Sequence, residues 1–262
     1  MPGFEELLAE GSAVPVAGWD FSWFDGRAAE ERPPWGYARM LGDRMSRLAG
    51  LPGAAALDLQ TGGGEVLASV PAAPRVLVAT ESWPPNLPVA RRNLSRLGGH
   101  VVAVDDPVGS IPFTSESFDL VVSRHPVGVN WEEVARVLKP GGSYFSQDVG
   151  EGSVGELTEF LMGPLPEDDG PTRHPRWSVL NATQAGLTVT DLREFRGRME
   201  FYDVAAVVHF LRKVIWIVPD FTVAAYRDRL RALHDQIEAD GPFAATSVRF
   251  LIEARKPGRR EP

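Results

Sequence analysis

From residue 54 onward, short unbroken apolar runs alternate with segments whose apolar residues recur every three to four positions. Unbroken runs are the mark of strands buried on both faces. Their alternation with amphipathic helices predicts βαβ units and a mostly parallel sheet. The expected strands are Ala54–Gln60, Arg75–Glu81, His100–Asp105, Phe118–Ser123 and Ser143–Gln147. Helices are expected from Glu65 to about Val70, over Asn86–Leu97 and near Asn130–Leu138; in the second, Leu87, Ala90, Leu94 and Leu97 share one face. Lys139-Pro140-Gly141-Gly142 is expected to break the chain before the fifth strand.

The pattern is less regular beyond residue 150. It predicts a helix over Val154–Met162, a proline-rich loop over Pro164–Pro175, and a helix over Val179–Ala185 stopped by Gly186. A strand follows at Thr188–Phe195, then an apolar helix from Tyr202 to Val218, broken near Pro219. An amphipathic helix over Val223–Ala239 and a last strand, Ser247–Arg255, close the chain. Residues 1–50 read as helical and irregular, with Trp19, Phe21, Trp23, Phe24, Trp35 and Tyr37 interrupted by Pro33-Pro34. The expected organisation is a helical, aromatic lid segment over 1–50 and an α/β domain over 51–262, with insertions around 151–180 and 200–240.

Composition narrows the chemistry. The chain has no cysteine, which excludes disulfides, thiolate metal sites and cysteine nucleophiles. No spaced histidine and carboxylate set suggests a metal site, and none is expected. The net charge of −8 and the scattered basic residues make nucleic acid an unlikely partner. No stretch approaches the roughly 18 apolar residues of a membrane span. The acidic start, MPGFEELLAEG, lacks a signal-peptide pattern, so a cytoplasmic protein without membrane contact is expected.

The chemistry centres on Leu57-Asp58-Leu59-Gln60-Thr61-Gly62-Gly63-Gly64, where a strand passes through glycines into a helix. Ligands of open α/β sheets bind beyond the carboxyl ends of strands, and glycines permit close backbone approach. Glu81 ends the next strand, at the spacing that suits a carboxylate bound to ribose hydroxyls. Asp105 and Asp106 end the third strand on the same sheet edge. Three acidic strand ends beside one glycine loop suit a cation bearing an adenosine better than a dinucleotide pyrophosphate, which favours bare amides.

At this point a family resemblance is visible. The glycine loop resembles the first motif of class I S-adenosylmethionine-dependent methyltransferases, and Ala79-Thr80-Glu81 their ribose-binding acidic motif. Ile111-Pro112-Phe113 through Ser117-Phe118-Asp119 is similar to the segment leading into their fourth strand. Arg136-Val137-Leu138-Lys139-Pro140-Gly141-Gly142 is similar to a further motif, and all four occur in the family's order. The resemblance implies a Rossmann-like, doubly wound, mostly parallel seven-stranded sheet with an antiparallel C-terminal strand. It implies S-adenosylmethionine as cofactor, held by Asp58, Gln60, Gly62, Gly64, Glu81, Ser82, Asp105, Asp106, Ser123 and Arg124. Gln60 stands where the family has glycine.

The expected activity is methyl transfer to a small-molecule acceptor. An rRNA or tRNA base methyltransferase and a non-catalytic S-adenosylmethionine-binding protein are the alternatives. His125, just past the fourth strand, is the candidate general base; capping that strand is its simpler role. Gln147, Trp19, Trp23, Tyr202 and Trp216 are candidate walls of an acceptor pocket, though the rings equally suit a lid core. A monomer and a homodimer are both compatible with the sequence.

Overall fold

The computed structural model of the chain describes residues 2–164 and 173–259. In chain order its elements are α1 (Phe4–Ala13), β1 (Ala28–Glu30), α2 (Tyr37–Ala49), β2 (Ala55–Leu59), α3 (Glu65–Ala68), β3 (Val76–Glu81), α4 (Asn86–Leu94) and β4 (His100–Ala103). They continue with β5 (Phe118–Arg124), α5 (Trp131–Val137), β6 (Leu138–Val149), α6 (Gly155–Met162), α7 (Pro175–Gln184), β7 (Thr188–Phe201), α8 (Val204–Lys213), α9 (Arg227–Asp240) and β8 (Phe243–Arg255). The eight strands form one sheet in the order β1-β7-β8-β6-β5-β2-β3-β4. The central pairings β6–β5, β5–β2, β2–β3 and β3–β4 are parallel, while β6–β8 and β1–β7 are antiparallel. This is the expected Rossmann-like α/β class, with β1 as an added eighth strand.

The larger of two compact units comprises residues 34–150, 171–195 and 249–262. Every residue of β2, Ala55 to Leu59, is buried, as an apolar run in the middle of a parallel sheet requires. One core places Leu57, Val121, Tyr144 and Ile252 against Trp131 and Val134 of α5 and Ala182 of α7. A second, on the opposite face, places Ala56, Leu77, Val122 and Phe145 against Leu41 and Met45 of α2, Leu67 of α3 and Leu94 of α4. The alternation of side chains along each strand assigns neighbouring residues to these two cores. Here Tyr37 stacks on Phe145, with ring centroids 5.0 Å apart and planes 5° from parallel.

Lys139-Pro140-Gly141-Gly142 departs from expectation. It does not break the chain before a strand; it is a bulge inside the twelve-residue β6. Phe118 pairs with Leu138 and Leu120 with Ser143, so four residues of β6 are accommodated opposite one of β5. A Cβ on Gly142 would lie 2.9 Å from the Lys139 carbonyl and 3.1 Å from those of Phe118 and Asp119, so only glycine fits. Lys139 Nζ donates to Asp119 at 2.6 Å, and the same Asp119 oxygen accepts from the Ala55 amide at 2.8 Å. The motif is therefore a structural joint of β6, β5 and β2.

The smaller unit comprises residues 1–33, 151–170 and 196–248. Its core gathers Phe4, Leu7 and Leu8 of α1, Leu157 and Leu161 of α6, the apolar run of α8, and Leu230, Leu233 and Ile237 of α9. The helix expected over Tyr202–Val218 is shorter. Asp203 caps α8 by accepting from the Ala206 amide at 2.8 Å, and the helix ends at Lys213. The following Val214–Val218 is rich in β-branched residues, which favour helix less than unbranched ones. Lys213 Nζ donates to the Gly18 carbonyl at 2.9 Å, holding the segment after α1. The proline-rich loop expected over 164–175 lies, for residues 165–172, outside the described residues. Among the described residues no helix is long and apolar enough to cross a membrane.

Candidate active site

The chain runs from β2 outward to β3 and β4, then returns to the other side of β2 for β5 and β6. That reversal opens a crevice beyond the carboxyl ends of β2 and β5, the place where open α/β sheets bind ligands. The loop from Gln60 to Gly64 lines it. Gly62 and Gly64 have φ of 63° and 75°, the left-handed region. The Thr61 amide donates to Thr80 O at 2.9 Å, and Asn93 Nδ2 donates to Gly63 O at 2.8 Å, fixing the loop to β3 and α4.

Gln60 also adopts a left-handed conformation, φ 57°, unusual for a residue with a side chain. Here the side chain is fully engaged. Its Nε2 donates to Gly128 O at 2.8 Å and Pro107 O at 3.1 Å, and its Oε1 accepts from the Val127 amide at 2.8 Å. Asn130 Nδ2 adds a bond to Val108 O at 3.2 Å. The connections after β4 and β5 are thus joined to each other and to the glycine loop.

Two carboxylates are buried beside this loop. Asp58 is 8% exposed, and burial pushes its pKa up to about 7; the Thr61 hydroxyl offsets part of the shift and the neighbouring Glu81 charge adds to it. By hydrogen-bonding geometry that hydroxyl has no partner among the described residues. Glu81 is 6% exposed and also raised by burial, against hydrogen bonds from Trp83, Asn86, Ser82 and Gly62. Its Oε1 accepts from the Trp83 and Ser82 amides at 2.7 and 2.9 Å. Asp105 and Asp106 are exposed just past β4, and Asp106 Oδ1 accepts from the Val108 amide at 2.9 Å. Asp58, Glu81, Ser82, Asp105 and Asp106 therefore lie along one sheet edge.

At the end of β5, the Ser123 hydroxyl turns into the sheet and donates to Leu59 O at 2.8 Å, while Arg124 is exposed. His125 is half-buried, with φ 55°. Its Nε2 lies 3.1 Å from Gln147 Nε2, and Gln147 Oε1 accepts from Trp35 Nε1 at 2.8 Å. Desolvation, then the charges of Arg124, Arg249 and Arg173, push the His125 pKa well below the ordinary imidazole value. Next to Gln147, Asp148 is pushed up to about 7 by burial, against a hydrogen bond from Ser146.

Two residues at this site escaped sequence reasoning as site residues. Trp35 supplies the bond to Gln147, and Tyr37 Oη donates to Ser123 O at 2.8 Å close to Asp58. Both belonged to the aromatic cluster read along residues 19–37, and their spacing gives no sign that they join the sheet.

The other pocket candidates lie in the smaller unit. Trp216, Trp19, Phe21, Phe24, His209 and Trp23 form a continuous chain of ring contacts, each pair 5.0–6.1 Å between centroids. His209 is 1% exposed, its Nδ1 has no hydrogen bond, and burial with the Lys213 and Arg212 charges lowers its pKa to about 4. Tyr202 stands apart, 38% exposed, its hydroxyl 3.4 Å from Glu200. Among the described residues no group of histidine and carboxylate side chains is arranged to hold a metal.

Residues 57–146, which carry the glycine loop, the acidic strand ends and the bulge, match the family profile described as a methyltransferase domain. Over these residues the chain resembles a methyltransferase domain. No curated protein sequence matches the chain. Among solved structures, a candidate methyltransferase of Bacillus halodurans is 20% identical, with a TM-score of 0.56 over 82% of this chain and 98% of its own. The YcgJ protein of Bacillus subtilis is 18% identical, with a TM-score of 0.54 over 84% and 99%. The [4+2]-cyclase SpnF is 15% identical, with a TM-score of 0.52 over 97% and 93%. Likenesses at this identity describe the fold alone, and a cyclase among them means that the methyltransferase fold does not by itself fix the reaction.

Proposed function

We propose that the chain is an S-adenosylmethionine-dependent methyltransferase acting on a small-molecule acceptor. The observation that carries this reading is the pair of buried carboxylates, Asp58 and Glu81, flanking the glycine loop. Burial makes their negative charge costly, and a cation in the crevice would offset that cost. The residues fit the cofactor: Asp58 would face its amino-acid end, Gly62 and Gly64 would line it, Glu81 would bind the ribose, and Asp106 or Asp105 would approach the adenine. The unpartnered Thr61 hydroxyl adds a hydrogen-bonding group at the same loop. When bound, the cofactor supplies a methyl group on a sulfonium with a neutral leaving group. What remains for the protein is chiefly proximity and orientation.

On the acceptor side, His125 and Gln147 stand at the adjoining strand ends. A cytoplasmic protein is consistent with this chemistry.

Titration calorimetry with S-adenosylmethionine, S-adenosylhomocysteine and NAD tests the reading. Binding of both sulfur ligands and not of NAD is expected. Binding of NAD alone would overturn it. Sulfur-ligand binding without methyl transfer across small-molecule and RNA acceptors would instead support the non-catalytic alternative.

A further inference from the structure

Trp35, Gln147 and His125 form a hydrogen-bonded series whose polarity is fixed by chemistry. An indole N–H only donates, so the atom of Gln147 that faces Trp35 Nε1 at 2.8 Å is its carbonyl oxygen. The amide nitrogen of Gln147 then faces His125 Nε2 at 3.1 Å. An amide NH2 also only donates, so His125 Nε2 accepts through its lone pair. The proton of the neutral ring consequently resides on Nδ1. The ring is further fixed by its backbone: the His125 amide donates to Gln147 O at 2.7 Å, and φ is 55°. Trp35 is itself 5% exposed and edge-on to Phe195 at 6.2 Å, so its indole has little room to turn away. Nδ1 makes no hydrogen bond to a described residue.

We infer that Trp35 and Gln147 are positioning residues that hold His125 as a neutral hydrogen-bond donor, its Nδ1–H offered to an oxygen of the methyl acceptor. This revises the expected role of His125. Its one basic lone pair is occupied by Gln147, and an added proton there would meet an amide N–H rather than an acceptor. The acceptor it would serve presents a hydrogen-bond-accepting oxygen and needs no proton removed by this histidine. The role assigned toward the acceptor rests on the methyltransferase reading; the tautomer does not.

The test is 15N NMR of imidazole-labelled protein near pH 7, with the His125 signals identified by their loss in His125→Asn. A pyridine-like Nε2 and a protonated Nδ1 are expected in the unmodified chain. Gln147→Glu replaces the donor with a carboxylate that accepts from both Trp35 and His125, and should move the proton to Nε2. A merely structural role for Gln147 would not move it. A protonated Nε2 in the unmodified chain, or Gln147→Glu retaining Nδ1–H, would overturn the assignment. The measurement on the unmodified chain needs no variant to fold. S-adenosylhomocysteine affinity, measured in parallel, should change less than about twofold in Gln147→Glu; failure of the unmodified chain to bind it would overturn the preceding reading and leaves the tautomer measurement standing.

Discussion

Gln60 Oε1 accepts a hydrogen bond from the Val127 amide at 2.8 Å, tying the end of β2 to the connection after β5. With the donations to Gly128 and Pro107, three bonds of roughly 0.5–1.5 kcal/mol each depend on this side chain. Its left-handed backbone opposes them by about 1–2 kcal/mol. Gln60→Ala removes the bonds and keeps the strain, whereas Gln60→Gly removes both. Gln60→Ala should therefore be less stable than Gln60→Gly by about 1 kcal/mol in urea unfolding. Amide exchange in residues 105–109 and 125–130 should accelerate in both variants. Equal stability of the two, with exchange unchanged, would refute the clamp.

Glu81 receives amide protons from Ser82 and Trp83 on one oxygen. In Glu81→Gln one end of the side chain becomes an NH2 and confronts donors already aimed at the site. An unsatisfied donor costs roughly 1–3 kcal/mol. Thermal unfolding should reveal a loss of that size. S-adenosylhomocysteine affinity should fall by about tenfold or more, as read by calorimetry. Unaltered affinity would remove Glu81 from the proposed cofactor site.

Tyr37 joins α2 to β5 through its hydroxyl and to β6 through the Phe145 stack. Tyr37→Phe keeps the stack and deletes the bond to Ser123 O. A loss of about 1–2 kcal/mol is expected, because the buried carbonyl is left without that donor. A neutral result in chemical denaturation would show that the hydroxyl contributes nothing.

Asp148 has a folded pKa raised to about 7, above the ordinary 3.8. The native state therefore binds this proton more tightly than the unfolded chain. The stability it contributes is full below about pH 4 and is lost as pH rises toward 7. Asp148→Asn abolishes this dependence. The stability of the unmodified chain relative to Asp148→Asn should decline by on the order of 2–4 kcal/mol between pH 4 and pH 7. A difference independent of pH would contradict the assignment to Asp148.

The parallel core of the fold was legible because β2, β3 and β5 are short apolar runs separated by glycine and helix signals. The acidic sheet edge was legible for the same reason: Asp58, Glu81 and Asp106 sit at or just past strand ends, so locating the strands locates the acids. Other features left weaker marks. β1 is three residues long with two of them exposed, and has no apolar period to read. Lys139–Gly142 looks like a breaker in sequence, yet neighbouring strands accommodate it as a bulge. Gln60 was visible only as a departure from glycine, since its three partners lie 47 to 68 residues away. Trp35 and Tyr37 meet their partners at separations of 112 and 86 residues, where no local pattern reports contact.

The series from Trp35 to His125 has a consequence for how the chain is built during synthesis. The glycine loop, its acidic neighbours and the Gln60 clamp all lie between residues 58 and 130, and their mutual contacts need nothing further downstream. His125 gains its contact with the Gln147 side chain only when residue 147 has been made and β6 has paired with β5. A nascent chain can therefore assemble the glycine-loop side of the crevice before the Trp35–Gln147–His125 series is complete.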